Sequence, residues 1–377
     1  MRILFFVSSM HSGGAERVAA TLSGAWARRG DSVTLVPTFT GKGSCFYELN
    51  PGVRLIWLAD RMGWLGRKTF PAVAKWFAIR RLIRERKPDI IVSFLTNVNV
   101  MVLMATRGMS TPVLVCERTS PAHSQAAQNW LARMRRKTYP RATAVVLQSQ
   151  QAAESFRPMV PGVRELLWVP NPLPADLLNV NVQEFATTGP RRSLVAMGRL
   201  QPVKQFDVLI RVFASLANDF PDWDLTIWGE GPERPMLEQQ INHAGLQDRI
   251  TLPGRTQTPW QALAAADLFV MTSKVEGFPN VLLEAMALDR ACVAFDCPDG
   301  PKEITEDGRY AFLAPLGDDR SLSSSLSQLM ADSTLRQAMG RRAGAHVRER
   351  YSLERIVQQW DTIFDRACAG NNDGGLS

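Results

Sequence analysis

The chain has 377 residues, 45% hydrophobic and 21% charged, a length and composition that suit two ordinary domains with real cores and exclude a fibrous or low-complexity protein. The formal net charge of +8 is uneven: residues 1–174 carry 24 Lys and Arg against 9 Asp and Glu, the remainder 20 against 27, so the first half is the one suited to an anionic partner. Five cysteines (45, 116, 292, 297, 368) without regular spacing read as reduced thiols of a cytoplasmic protein, four scattered histidines exclude a zinc cluster, and "MRILFFVSS" is too short for a signal peptide in a chain with no membrane-spanning run.

In chain order, the strand "RILFFVSS" ends at Gly13-Gly14, and "AERVAATLSGAWARRG" follows with helical spacing closed by Gly30. "DSVTLVPTF" is a second strand, "IRRLIRERK" a helix over 78–87, and "DIIVSFL", "TPVLVCE" and "ATAVVLQS" are further strands, the last two around a helix. Alternating strand and helix predicts a parallel, doubly wound α/β sheet. "VPNPLPADLLNVNVQEFATTGPRR" is rich in Pro and Asn and reads as a linker, after which the alternation restarts with "SLVAMGRL", "WDLTIWGEG", "ITLPG", "ADLFVMTS" and "ACVAFD". The expected domains are 1–174 and 175–351, with a last helix over 352–368 packing back on the first.

Open α/β sheets bind ligands at strand ends, so the exits hold the candidate site residues. Ser12-Gly13-Gly14 lies between the first strand and helix, where glycine lets a phosphate approach and a helix N-terminus favours an anion; a simple tight turn explains it equally, and the full G-x-G-x-x-G dinucleotide pattern is absent. "GRLQPVK" places Arg199 and Lys204 past a strand, a planar fork and a point charge suited to a diphosphate. "GEGPER" brings Gly229 and Gly231 into a turn, and "LPGR" ends at Gly254, whose backbone can meet a base edge. In "SKVEGFPNVLLEAMA", Pro279 starts a helix whose free N–H groups near 280–282 favour a phosphate. Glu276 precedes that helix and Glu284 lies inside it, both able to accept hydrogen bonds from vicinal hydroxyls. The D-x-D of "PDWDL" reads as structural, since it precedes a strand and no other carboxylate pattern supports a metal.

Together these stretches resemble the family-4 retaining glycosyltransferases of GT-B architecture, with two Rossmann-like doubly wound domains facing a central cleft. The resemblance covers nearly the whole chain: "GGAER", "VPNP", "GRL…K", "GEGPER" and above all "EGFPNVLLEAMA", which matches the family's E-x7-E signature. "GPKEI" (300–304) fits a subgroup that builds bacterial surface polysaccharides. The resemblance implies that Glu276 contacts donor-sugar hydroxyls and Glu284 the ribose, while Arg199 and Lys204 neutralise the departing diphosphate in place of a metal. It puts Gly14, Gly229, Gly254 and the backbone of Gly277, Phe278, Pro279, Asn280 and Val281 beside the donor. Two departures stand out. The family's His near the anomeric centre is replaced by Glu117-Arg118, candidate sugar or acceptor contacts, with His123 an ordinary loop residue. Gln205 stands after Lys204 where Gly is usual, which puts the turn in question.

Residues 61–87 hold nine Lys and Arg, one acid, and Trp64, Phe70, Trp76 and Phe77. Basic plus aromatic content suits an anionic membrane surface, with 61–76 the better membrane candidate, joined by "RMRRK" at 133–137. Nucleic-acid motifs are absent. The expected function is transfer of a hexose-type sugar from a nucleotide donor, expected to be UDP-linked, to a lipid-linked or growing glycan acceptor. The expected setting is bacterial lipopolysaccharide, O-antigen, capsule or exopolysaccharide synthesis, at the inner face of the plasma membrane and without metal or other cofactor. A GT-B-type nucleotide-sugar epimerase and a non-catalytic sugar-binding scaffold are the alternatives; the basic aromatic insertion argues against the first and the intact site set against the second.

Overall fold

The computed structural model describes residues 1–11, 13–39, 45–63, 68, 71–120, 129–185 and 189–372. The chain divides into two compact units, Met1–Pro172 with Leu353–Ser377, and Leu173–Ser352.

The first unit holds β1 (Arg2–Val7), β2 (Ser32–Pro37), β3 (Arg54–Leu55), β4 (Ile90–Phe94), β5 (Val113–Cys116), β6 (Ala144–Leu147) and β7 (Leu166–Trp168). Their order is β3-β2-β1-β4-β5-β6-β7, and all pairs are parallel. The central strands are continuous apolar runs because both faces are covered: Ile3 to Val7 are all buried. Helices Pro71–Arg86 and Thr96–Ala105 cover one face. Helices Gly14–Arg28 and Leu353–Asn372 cover the other, where Ile356, Trp360 and Phe364 recur every four residues and join Trp26 and Phe5 in the core. The Trp26 and Trp360 rings meet edge to face at 5.9 Å, a favoured aromatic geometry.

The second unit holds β8 (Arg192–Met197), β9 (Trp223–Trp228), β10 (Ile250–Gly254), β11 (Leu268–Met271), β12 (Ala291–Asp296) and β13 (Phe312–Pro315). Their order is β10-β9-β8-β11-β12-β13, again parallel throughout. The chain therefore winds outward from β8 in one direction and from β11 in the other, so β8 and β11 flank the switch point.

Three strands escape the sequence reading: β3, β7 and β13, of two to four residues, all at sheet edges. Runs that short display no period. The segment read as a linker folds into 3-10 turns at Ala175–Asn179 and Val182–Phe185, and Leu173 and Leu177 are fully buried in the second unit's core. The helix read as 78–87 begins at Pro71, whose fixed φ suits a first turn, so residues 71–76 of the expected insertion are helical. Trp64, Phe70 and His123 lie outside the described residues.

Candidate active site

At the exit of β8 the chain passes Gly198 and Arg199 and reverses in one 3-10 turn, Pro202–Lys204. At the exit of β11 it passes Thr272 and Ser273 into the loop that holds Glu276. Lys204 Nζ donates to Glu276 Oε1 at 2.5 Å, with side-chain exposures of 23% and 14%. The two loops are also joined at the carbonyls of the 3-10 turn: Lys274 N–H donates to Val203 O at 2.8 Å, and the Thr272 side-chain Oγ1 donates to Lys204 O at 2.9 Å. Arg199, on the same β8 exit loop, is exposed; its carbonyl accepts from Gln201 N–H at 2.8 Å, and its side chain makes no hydrogen bond or ion pair with the described residues. Open α/β sheets receive ligands at such a switch point.

Gln205 takes the left-handed conformation, φ +49° and ψ +43°, as it caps helix Phe206–Leu216. The turn expected of Gly at that position is therefore made, under backbone strain, by a residue with a Cβ.

The stretch 276–287 forms a loop and then helix Asn280–Ala287, with Pro279 at its N-cap. Phe278 is buried in the unit's core, 5.9 Å edge to face from Tyr351. Gly300 of "GPKEI" packs on this loop with φ +123°, and a Cβ there would lie 2.5 Å from Pro279 Cδ. Glu284, 2% exposed, lies on the buried face of the helix. The Trp260 indole Nε1 donates to its Oε2 at 3.3 Å.

Gly229 follows β9, the neighbour of β8, and Gly254 ends β10, the next strand out. Gly229 N–H donates to Gly254 O at 2.8 Å, and Gly198 N–H to Trp228 O at 2.9 Å. Gly229 has φ +147°, and a Cβ on it would fall 1.7 Å from Gly198 O, so glycine is required there by backbone contact alone. "GEGPER" is stapled internally by Arg234, which donates from Nε and Nη2 to the two oxygens of Glu230 at 3.0 and 2.6 Å. The second unit thus gathers Arg199, Lys204, Gly229, Gly254, Glu276 and the 277–281 backbone along four adjacent strand exits, with Glu284 one turn deeper.

Gly14, Glu117 and Arg118 belong to the first unit. Gly14 opens helix Gly14–Arg28, where Ser9 Oγ donates to Glu16 Oε1 at 2.7 Å, so that the helix start carries its own carboxylate. Glu117 is 1% exposed. It accepts from Thr96 Oγ1 at 2.7 Å and from Tyr139 Oη at 2.5 Å, and Tyr139 Oη in turn accepts from Asn99 Nδ2 at 2.9 Å. Burial raises the Glu117 pKa, opposed by the Tyr139 and Thr96 hydrogen bonds and the Arg135 charge. Arg118 is also buried, donates from Nη1 to Asn171 Oδ1 at 2.9 Å, and lies 3.9 Å above the Phe94 ring; burial lowers its pKa. Both side chains face interior partners. Asp224 of "PDWDL" is paired with Arg191 and Arg249 at 2.5 and 3.0 Å. Among the described residues no group of three or more His, Cys, Asp or Glu is placed to hold a metal, and no helix is long and apolar enough to cross a membrane.

Two residues of this site have no signal in the sequence. Trp260 sits 24 positions from Glu284 in a different helix. Cys297, 2% exposed, follows β12; burial raises its pKa, with the Glu276 charge adding to the effect. Only the strand order brings either to the site.

A chain of two doubly wound parallel units, one with a lysine–glutamate pair at its switch point and a helix start beside it, has the construction of the GT-B enzymes. Residues 13–172 match the family described as glycosyl transferase 4-like domain and residues 181–346 the family described as glycosyl transferases group 1. The chain belongs to the family-4 glycosyltransferases and is a glycosyltransferase. It is 25% identical over 364 residues to an undecaprenol-diphosphate-oligosaccharide α-1,4-N-acetyl-D-galactosaminyltransferase of Campylobacter jejuni, covering 96% of this chain and 97% of that one. A 183-residue segment is 36% identical to an exopolysaccharide phosphotransferase of Streptomyces coelicolor, of which it spans 19%. Among solved structures, sucrose-phosphate synthase of Thermosynechococcus elongatus superimposes with a TM-score of 0.83 at 18% identity over 98% of this chain and 100% of that one. HepE of Anabaena, solved with UDP-glucose, gives 0.77 at 20% identity over 97% and 100%.

Gln205→Gly removes the positive-φ penalty, worth about 1–2 kcal/mol, against about 0.5–1 kcal/mol of added unfolded-chain entropy. The expected outcome is a protein more stable by up to about 1 kcal/mol, read from denaturant unfolding of the variant and the parent. Glu117 holds its proton more tightly when folded than when unfolded. Its contribution is therefore fully present below the unfolded carboxylate pKa and lost as pH rises through the folded value. Glu117→Gln should flatten the dependence of stability on pH above about 4.3, measured by unfolding midpoints across that range.

Proposed function

We propose that this glycosyltransferase moves a hexose-type sugar, with retention of anomeric configuration, from a UDP-linked donor to a lipid-linked or growing glycan acceptor. The setting is synthesis of bacterial cell-surface polysaccharide, on the inner face of the plasma membrane. The observation that carries the reading is the Lys204–Glu276 pair at the β8/β11 switch point, with the exposed Arg199 on the same β8 exit loop as Lys204. Its relatives support the reading: one acts on an undecaprenol-diphosphate-linked oligosaccharide, and a solved neighbour holds UDP-glucose.

In this reading the donor diphosphate exchanges with Glu276 as the partner of Lys204 and takes the fork of Arg199. Glu276 then accepts hydrogen bonds from sugar hydroxyls, and Glu284 from the ribose. The backbone of Gly277, Phe278, Asn280 and Val281 and the start of helix Asn280–Ala287 meet the sugar and phosphate, with Pro279 fixing the entry. Gly229 and Gly254 border the nucleotide. Two cations held on strand exits stabilise the negative charge that develops on the leaving diphosphate, the task a metal performs elsewhere, so none is required. The acceptor hydroxyl oxygen bonds to the anomeric carbon as the carbon–phosphate-oxygen bond breaks, and the acceptor proton passes to the departing phosphate oxygen. Glu117 and Arg118, buried as they are, would shape the acceptor side of the first unit from within.

The basic half serves the membrane. Phe77 is 62% exposed on helix Pro71–Arg86, near exposed Arg81 and Arg84, and Trp130 is 58% exposed on helix Asn129–Thr138 with Arg133, Arg136 and Lys137. Trp76 is committed to the fold: its indole donates to Met104 O at 3.2 Å. Exposed aromatics among cations suit an anionic interface.

Glu276→Ala and Arg199→Ala, checked for folding, should each lower kcat for sugar transfer from UDP-hexoses by about 100-fold or more, the usual effect of deleting a group that stabilises transition-state charge. Full activity in either variant rejects the site, and activity lost on adding EDTA rejects the metal-free reading. Binding to vesicles containing anionic lipid should weaken about ten-fold or more when Arg133, Arg136 and Lys137 are replaced together by Glu, and vesicles of neutral lipid should bind neither protein. Equal binding of both proteins to anionic vesicles would count against the membrane assignment.

A further inference from the structure

At the end of the first sheet opposite its strand exits lies a polar cleft of about 250 Å³, bordered by Arg2, Ser32, Thr34, Arg54, Glu85 and Arg86. The parallel register sets Arg2 beside Ser32, and Leu4 beside Thr34 beside Arg54. Alternation along each strand puts all five on one face of the sheet, the face on which Leu4 packs beneath helix Pro71–Arg86. The last turn of that helix brings Glu85 and Arg86 to the same cleft.

The acids near the cleft are already engaged. Glu85 accepts from Arg61 Nη1 at 3.2 Å and from Arg81 Nε at 2.8 Å. Asp89 accepts from Arg2 Nε at 3.1 Å and Nη2 at 2.5 Å, an arrangement that leaves Arg2 Nη1 over. The Arg54 and Arg86 side chains make no hydrogen bond or ion pair among the described residues, and Arg86 Nε is buried without a partner. Five arginines thus stand against two acids, a surplus of three positive charges. The C-terminal end of the helix opposes an anion with about half a unit charge, too little to cancel that surplus. Thr34 is only 6% exposed, and its hydroxyl has no hydrogen-bond partner among the described residues. Polar groups so far withdrawn from bulk water are ordinarily paired, and a hydroxyl can donate to a ligand oxygen.

We propose that this cleft is a second anion site, which takes a phosphate group: Arg54 and Arg86 supply guanidinium forks, Arg2 a supporting charge and Thr34 a neutral donor. A guanidinium matches two phosphate oxygens at once, and a dianion answers the two cations that the fold leaves without a counter-charge. The site belongs to the first unit alone and shares no residue with the Lys204–Glu276 loops. A soluble phosphate and a lipid phosphomonoester both present the group it would hold.

The test is calorimetric titration of the full chain with inorganic phosphate at constant ionic strength, repeated on Arg54→Ala, Thr34→Val and Arg84→Ala, each checked by thermal unfolding. Arg84→Ala removes the same charge from the same helix outside the cleft. The parent should show a saturable binding event that weakens about ten-fold or more in Arg54→Ala and about three-fold or more in Thr34→Val. In Arg84→Ala it should stay within about two-fold, since an exposed charge acts through screening solvent. Phosphate held by Arg199 and Lys204 is untouched by all three substitutions, so the component lost with Arg54 reads this cleft. Arg54 is exposed, so its variant decides the outcome should Thr34→Val not fold. Vesicles of neutral lipid containing phosphatidate tell the sources apart. Binding that weakens in Arg54→Ala and not in Arg84→Ala supports the site with a lipid phosphate, and vesicle binding equal in both supports it with a soluble one. No saturable phosphate binding, parent-like binding in Arg54→Ala or in a folded Thr34→Val, or equal weakening by Arg84→Ala and Arg54→Ala overturns the proposal.

Discussion

The ion pair between Lys204 and Glu276 is the interaction around which the second unit is arranged. Its members lie 72 positions apart, meet at 2.5 Å, and are mostly shielded from solvent. Either charge alone in that setting would be poorly solvated; together each answers the other. They can meet only because β8 and β11 are hydrogen-bonded neighbours in the sheet, which is also what makes their exits the switch point. Hydrogen bonds from the Lys274 N–H and the Thr272 hydroxyl to the carbonyls of Val203 and Lys204 hold both loops at that separation. Gln205 accepts a left-handed backbone so that the chain can turn into its helix without moving the lysine.

Around the pair, residues with the look of ligand contacts also hold the scaffold. Gly229 has no room for a Cβ against Gly198 O, and the Glu230–Arg234 staple keeps the β9 exit in shape. Gly300 packs against Pro279, so the "GPKEI" turn supports the helix start that carries the signature. The backbone positions that suit a phosphate are thus the ones that tight packing of neighbouring strand exits requires. Loss of function at such glycines follows from displaced loops as readily as from lost ligand contacts.

The first unit is built on a different economy. Its sheet is sealed on one face by the chain's own C-terminal helix, through Trp360 and Phe364 against Trp26. Near the β5 exit the interior is polar, with Thr96, Asn99, Glu117 and Tyr139 satisfying one another. A closed network of that kind fixes one arrangement, since each member left unpaired would be costly. The charge that distinguishes this half lies outside, on helices whose exposed aromatic residues are few and discrete.

The alternation of strand and helix was legible in the chain because buried parallel strands are unbroken apolar runs and their helices are amphipathic. The strand exits were legible too, since Gly, Pro and charged residues cluster where the backbone must turn. The edge strands β3, β7 and β13 were not, being too short to show a period, and neither was the burial of Leu177 in a segment read as linker. By itself the sequence determined two doubly wound units, the family signature and the residue types at the exits, all properties of local pattern. The tertiary structure alone decided that Lys204 faces Glu276, that Trp260 reaches Glu284 and that Glu117 turns inward. Those contacts depend on strand order and on the packing of distant helices, which no local pattern encodes.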